Sequence, residues 1–229
     1  MKKGVWKVAG LLVVIMIITS LAAVSAAEDD TNPVVFVHGY TGSENNWDSM
    51  IDDLEDEGYV SDELHAITYE NPWDASANED NAHQLSDFID DVMADTGEDE
   101  VDIVAHSMGG LSSRYYLQEL DGHVNVGAMI TLGTPHDGVL LGPGDLSRYS
   151  SFLRSLNRGD VTPGDVHYVS IYGTADMLVT TDSAHMDEWE NERVFGVTHM
   201  RLLTSSSVFD HVLENLTGDP EDDNGWGWW

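Results

Sequence analysis

Ser107 lies in Ala105-His106-Ser107-Met108-Gly109, between the apolar run Val101-Asp102-Ile103-Val104 and Gly110-Leu111-Ser112-Ser113-Arg114-Tyr115-Tyr116. The first flank reads as a short buried strand and the second as the start of a helix. A serine at such a sharp strand-to-helix turn, with a small residue two places to either side, is a nucleophile elbow. The turn strains the serine backbone, and small neighbours let strand and helix pass closely. A serine hydroxyl becomes a useful nucleophile only when a base takes its proton and an acid fixes the tautomer of that base. In this arrangement the chain order is serine, acid, histidine. Asp176 follows the apolar run 166–172 within Gly173-Thr174-Ala175-Asp176, and His199 follows the run 193–197. Both are therefore expected in loops at the carboxyl ends of strands, the end that carries Ser107.

Of the ten histidines, His38, His65, His83 and His106 precede the serine, and His123 and His136 precede the acid. His167 lies in or beside a strand and His211 in a closing helix, so His185, with no strand before it, is the competing base. Asp182, further from its strand, is the competing acid. The oxyanion formed on attack needs two N–H donors. The Met108 amide, directly after the nucleophile, is one, and the loop His38-Gly39-Tyr40 offers the second through the Tyr40 amide. The side chains of Tyr40 and Met108 are expected to line an acyl pocket, and the His38 ring to hydrogen-bond within its own loop.

These groups need a frame. Val34-Val35-Phe36-Val37 is a continuous apolar run bounded by Pro33 and Gly39, as in a strand buried on both faces. Further strands are expected at 65–69, 101–104, 126–132, 166–172 and 193–197. Trp47, Met50, Ile51 and Leu54 form one helical stripe, and Leu85, Phe88, Ile89 and Val92 another that stops near Gly97. The elbow helix runs on through Leu117 and Leu120, and Val208, Val212 and Leu216 mark a last helix. Strands alternating with helices predict a minimal six-stranded, mostly parallel α/β-hydrolase sheet with helices on both faces. Residues 137–165 break the alternation: they are glycine-rich, carry a short helical candidate around Leu146, Phe152, Leu153 and Leu156, and are expected to form a wall or flap beside the site.

Lys2, Lys3 and Lys7 precede an uncharged stretch, 8–27, that ends in Val24-Ser25-Ala26-Ala27. This reads as a secretory signal peptide, 1–27, or as a membrane anchor if it is not cleaved. No twin arginine is present. Residues 28–217 are then one catalytic domain and 218–229 an acidic, tryptophan-rich tail. Beyond residue 27 there is no lysine, and six arginines face 42 acidic residues, a formal charge of −36. That charge opposes compactness in dilute buffer and is screened at about 1 M salt, where the Debye length is roughly 3 Å. An extracellular protein adapted to concentrated brine is expected, and nucleic acid and anionic membranes are unfavoured partners. With no cysteine, a thiol nucleophile and thiolate metal sites are excluded. No acidic loop has the ligand spacing of a dedicated calcium site.

Val35-Phe36-Val37-His38-Gly39, the elbow with its strand, Thr131-Leu132-Gly133, Ser170-Ile171-Tyr172 with Ala175-Asp176-Met177, and Gly196-Val197-Thr198-His199 resemble the small secreted bacterial triacylglycerol lipases of the class 2 group. The resemblance runs from about Asn32 to Leu216. It implies a compact, nearly lidless α/β-hydrolase that hydrolyses carboxylic esters, including acylglycerols, without a cofactor. Separately, a lipid–water interface is a candidate partner, a monomer is the favoured state, and no metal is expected. Thr134-Pro135-His136-Asp137-Gly138 departs toward larger lipases, and a small flap can follow it. An acyltransferase or thioesterase with the same triad, and a non-catalytic lipid-binding module of this fold, are the alternatives.

Overall fold

The computed structural model describes residues 31–218. The expected signal peptide and the tail from residue 219 onward lie outside the described residues. Six strands form one sheet: β1 (Val34–Val37), β2 (Leu64–Ile67), β3 (Val101–His106), β4 (Val126–Leu132), β5 (His167–Gly173) and β6 (Glu190–Val194). Their order is β2-β1-β3-β4-β5-β6, and every pairing is parallel. The helices are α1 (Asp48–Asp56), α2 (Asn78–Thr96), α3 (Met108–Glu119), α4 (Ser151–Leu156), α5 (Thr181–Ala184) and α6 (Ser206–Thr217).

The two-residue period of a strand sends neighbouring side chains of β1 to opposite faces. Val34 and Phe36 join Trp47, Leu54, Val208 and Val212, so α1 and α6 cover one face. Val35 and Val37 join Leu85, Ile89 and Leu117, so α2 and α3 cover the other. A strand buried on both faces has no polar alternation to show, which is why β1, β3 and β4 read as apolar runs. Gly97 ends α2 in the left-handed region, its amide bonded to the Met93 carbonyl.

The last strand differs from expectation. It spans 190–194 and not 193–197, and its first residues, Glu190, Asn191 and Glu192, are polar. Strand β6 is an edge, held by backbone pairing to β5 from Val169↔Glu190 to Gly173↔Val194, so hydropathy does not mark it. Phe195, within the expected run, is almost fully exposed beyond the strand.

The 137–165 segment forms a packed wall. Leu146, Phe152, Leu153 and Leu156 make a separate apolar cluster with Ala75, Met108 and Leu111. Its only strand-like feature is an isolated bridge between Val139 and Ser147. Among the described residues no helix is long and apolar enough to cross a membrane.

Candidate active site

Strand β3 delivers Ser107 to the carboxyl end of the sheet, where α3 begins at the next residue. The Ser107 backbone has φ 55° and ψ −124°, a region that L-residues enter at a cost of about 1–3 kcal/mol and keep only when neighbours impose it. One such neighbour is the close approach of α3 to β1: a Cβ on Gly109 would stand 2.5 Å from the His38 carbonyl oxygen and 2.6 Å from that of Val37. Only glycine fits between these two backbones. The Ser107 amide is tied to the Leu132 carbonyl of β4 at 3.0 Å.

Strands β5 and β6 deliver the other two groups. His199 Nε2 lies 2.9 Å from Ser107 Oγ, and His199 Nδ1 lies 2.7 Å from Asp176 Oδ2. The second Asp176 oxygen accepts the amides of Leu178 and Val179, both at 2.8 Å. Burial pushes the Asp176 carboxyl up, but the His199 hydrogen bond, these amides and the His199 charge outweigh it and hold it below the ordinary carboxylate range. A carboxylate at Asp176 makes Nδ1 the protonated nitrogen of a neutral His199 and leaves Nε2 free to accept the serine proton. Gly133 leaves room for the pair, since a Cβ there would stand 3.3 Å from both Asp176 Oδ2 and His199 Nδ1. Of the competitors, His185 contacts the Tyr172 hydroxyl and Asp187, each at 3.3 Å, and Asp182 lines a different groove.

Two buried histidines surround this centre. His106 Nε2 donates to the His199 carbonyl at 3.2 Å, and the two rings lie 4.6 Å apart. Burial, then the charge of His199, pushes His106 down to about 3. It is therefore a neutral peg between the elbow and the histidine loop. His38 accepts the Tyr69 amide at Nε2, 3.1 Å, so its proton is on Nδ1, which donates to the Gly39 carbonyl at 2.8 Å. Holding that carbonyl fixes the plane of the Gly39–Tyr40 peptide, because the carbonyl and the Tyr40 N–H of a trans peptide point opposite ways. Below the loop, the Tyr69 hydroxyl meets Ser112 Oγ at 3.1 Å, and Ser112 donates to the Gly109 carbonyl at 2.9 Å.

A cavity of about 470 Å³ opens above Ser107 and His199, with Tyr40, Val139, Leu141, Leu146, Leu178 and Met200 among its walls. The Tyr40 side chain lines it as expected. That of Met108 does not: it is buried and packs beneath the wall with Leu111 and Leu146. The Met108 amide is the first N–H of α3, which has no acceptor within the helix. Sequence reasoning missed the Leu178 and Val179 amides and the His106 peg. The only available signal for His106 was its place beside the nucleophile. Among the described residues no group of three or more His, Asp or Glu side chains is arranged to hold a metal ion.

The family model for Lipase (class 2) matches residues 31–135, a span that includes β1, the Gly39 loop and the elbow and stops before Asp176 and His199. A triacylglycerol lipase of Burkholderia plantarii is 27% identical over 175 residues, covering 69% of this chain and 44% of that protein. Another from Pseudarthrobacter phenanthrenivorans is 27% identical over 155 residues, covering 62% and 44%. The chain thus spans less than half the length of these curated relatives. Among solved structures, the mature form of a Bacillus licheniformis lipase superposes with a TM-score of 0.71 at 21% identity, covering 81% of this chain and 92% of that one. A Listeria innocua protein gives 0.67 at 19% identity, covering 84% and 96%. By fold this chain is an α/β-hydrolase, and its residues 31–135 match the model of the class 2 lipases.

Proposed function

We propose that this protein hydrolyses carboxylic esters of lipids, acylglycerols among them, through an acyl-enzyme formed on Ser107. The observation that carries this reading is the unbroken chain from Ser107 Oγ through His199 to Asp176, at 2.9 and 2.7 Å. Ser107 Oγ attacks the ester carbonyl as His199 Nε2 takes its proton, and Asp176 stabilises the imidazolium. The Tyr40 and Met108 amides hold the oxyanion, each donor worth ~3 kcal/mol in the transition state. His199 then protonates the leaving alcohol. Water, activated by the same nitrogen, attacks the acyl-enzyme and releases the acid. The apolar walls of the cavity suit an acyl chain, and the exposure of Leu141, Leu178 and Met200 at its rim suits a lipid–water interface.

The composition supports an extracellular setting in brine, with residues 1–27 as the export signal, 28–217 as the catalytic domain and 218–229 as a tail. The test is hydrolysis of p-nitrophenyl esters of graded chain length in molar salt. Turnover is expected in the wild type and absent in Ser107→Ala, with an unchanged circular dichroism spectrum. Full activity in that variant would sink the mechanism.

A further inference from the structure

Beyond residue 27 the chain has only six cationic residues, all arginines, and four of them gather about one residue, Asn157. Arg148, Arg154 and Arg158 line a surface groove of about 650 Å³ with Asn157, Leu153 and the carboxylates of Asp137 and Asp182. Beneath it lies Arg114, 1% exposed, whose Nη2 donates to Asn157 Oδ1 at 2.9 Å. Asn157 Nδ2 donates in turn to the His136 carbonyl at 2.9 Å and to Asp137 Oδ1 at 3.5 Å. The buried Nε of Arg114 has no partner.

A chain so rich in carboxylates could pair every arginine, yet this one does not. Among the described residues all ion pairs within 4.0 Å are made by histidines. Arg154 lies in the last turn of α4 and Arg158 just beyond its end, and both line the same groove. They are also presented by a fixed segment. Ser150 caps α4 through the Leu153 amide at 3.1 Å, and the Arg148 amide is bonded to the Val139 carbonyl at 3.1 Å. Three arginines lining one groove, none of them in an ion pair, offer the guanidinium N–H groups that suit a phosphate, whose oxygens accept paired N–H bonds. Asp137 and Asp182 lower the positive charge of the lining, which favours a singly charged phosphate over a dianion.

We propose that the groove of Arg148, Arg154 and Arg158 binds a phosphodiester group, either of a soluble molecule or of a lipid headgroup. The segment that lines it also walls the Ser107 cavity through Val139 and Leu146, so a headgroup held there keeps a lipid surface beside the cavity mouth.

The test measures binding, so it is independent of the hydrolase reading. Dimethyl phosphate is titrated by phosphorus NMR. Cosedimentation is measured in about 1 M salt, which screens the repulsion between the acidic chain and an anionic surface, with vesicles of ether-linked phosphatidylglycerol, which has no ester to cleave, and of an uncharged glycolipid. Saturable binding is expected, weakened about tenfold or more in Arg154→Gln and Arg158→Gln and only partly kept in Arg158→Lys, which retains the charge without the paired N–H fork. Arg193→Gln, which removes the same charge from β6, is expected to change it by less than about twofold. Binding of dimethyl phosphate alone supports the site with a soluble diester as occupant. Phosphatidylglycerol binding lost in the same variants supports it with a lipid headgroup. No saturable binding in either arm, or equal loss in Arg193→Gln, overturns it.

Discussion

The Tyr69 amide points its proton at Nε2 of His38, 3.1 Å away, and so decides which nitrogen of that ring carries the hydrogen. The other nitrogen then holds the Gly39 carbonyl at 2.8 Å and, through the peptide plane, aims the Tyr40 amide. Replacing His38 with Gln is expected to lower kcat by about a hundredfold with little change in KM, because it misaims the proposed oxyanion donor, a group that would serve only the transition state. Steady-state kinetics separates the two. A rise in KM with kcat intact would show that His38 holds the fold and not the donor.

Asp176→Asn is expected to keep the geometry and lose the correct tautomer of His199, lowering kcat about 10⁴-fold. Asp182→Asn, on the other groove, should leave turnover within about twofold, as a surface carboxylate does. Comparable losses in the two would reassign the acid.

Gly109→Ala places a methyl against the His38 and Val37 carbonyl oxygens, at 2.5 and 2.6 Å. Both are backbone and cannot swing aside, so a destabilisation of about 1–3 kcal/mol is expected. Gly159 has nothing within 4 Å, and Gly159→Ala should stay within ~0.5 kcal/mol. Denaturant unfolding of the pair checks the difference.

Burial lowers His38, His106 and His136, with His106 at about 3. An unfolded histidine titrates near 6.5, so below that pH the unfolded chain binds protons that the folded chain refuses, and stability falls as pH drops. The slope is roughly 1.4 kcal/mol per histidine for each pH unit until its folded value is reached. Asp102, raised to about 6 by burial, works the other way, since the folded chain takes up its proton first as pH falls from about 6 towards 3.8. His211, raised chiefly by its hydrogen bond to Glu192, works in the same direction as Asp102, so two groups stand against the three buried histidines and a net loss is expected as pH falls from 7 to 5. Denaturant unfolding at pH 7 and pH 5 in molar salt, where the net charge is screened, should show it. Equal stability at the two pH values would contradict the neutral state of these rings.

The formal charge of −36 beyond residue 27 predicts a melting temperature that climbs as sodium chloride rises from about 0.1 to 1 M, as the Debye length falls from roughly 10 to 3 Å. A melting temperature indifferent to salt would remove the brine adaptation.

Much of the frame was legible because physical chemistry leaves its mark on buried segments. The runs at β1, β3 and β4 are apolar because they are covered on both faces, and the elbow is visible because close approach at Gly109 demands a residue without a side chain. Edge strand β6 was misplaced because its backbone bonds to β5 ask nothing of its side chains, so Glu190-Asn191-Glu192 looks like a loop. The placement of Ser107, Asp176 and His199 after successive strands could be read from chain order. Their support could not. The Leu178 and Val179 amides act through backbone, and His106 acts on a carbonyl far away in sequence, so neither contact has a local pattern. The burial of Met108 was missed for a related reason: the wall that covers it comes from residues 146–156.

The positive φ of Ser107 has a consequence for any attempt to toughen this protein. Glycine adopts that backbone freely, so Ser107→Gly relaxes a strain on the order of 1 kcal/mol while removing the hydroxyl proposed as the nucleophile. Selection for heat resistance alone would drift toward an inert enzyme at this position. The serine endures there only where each generation is also screened for turnover.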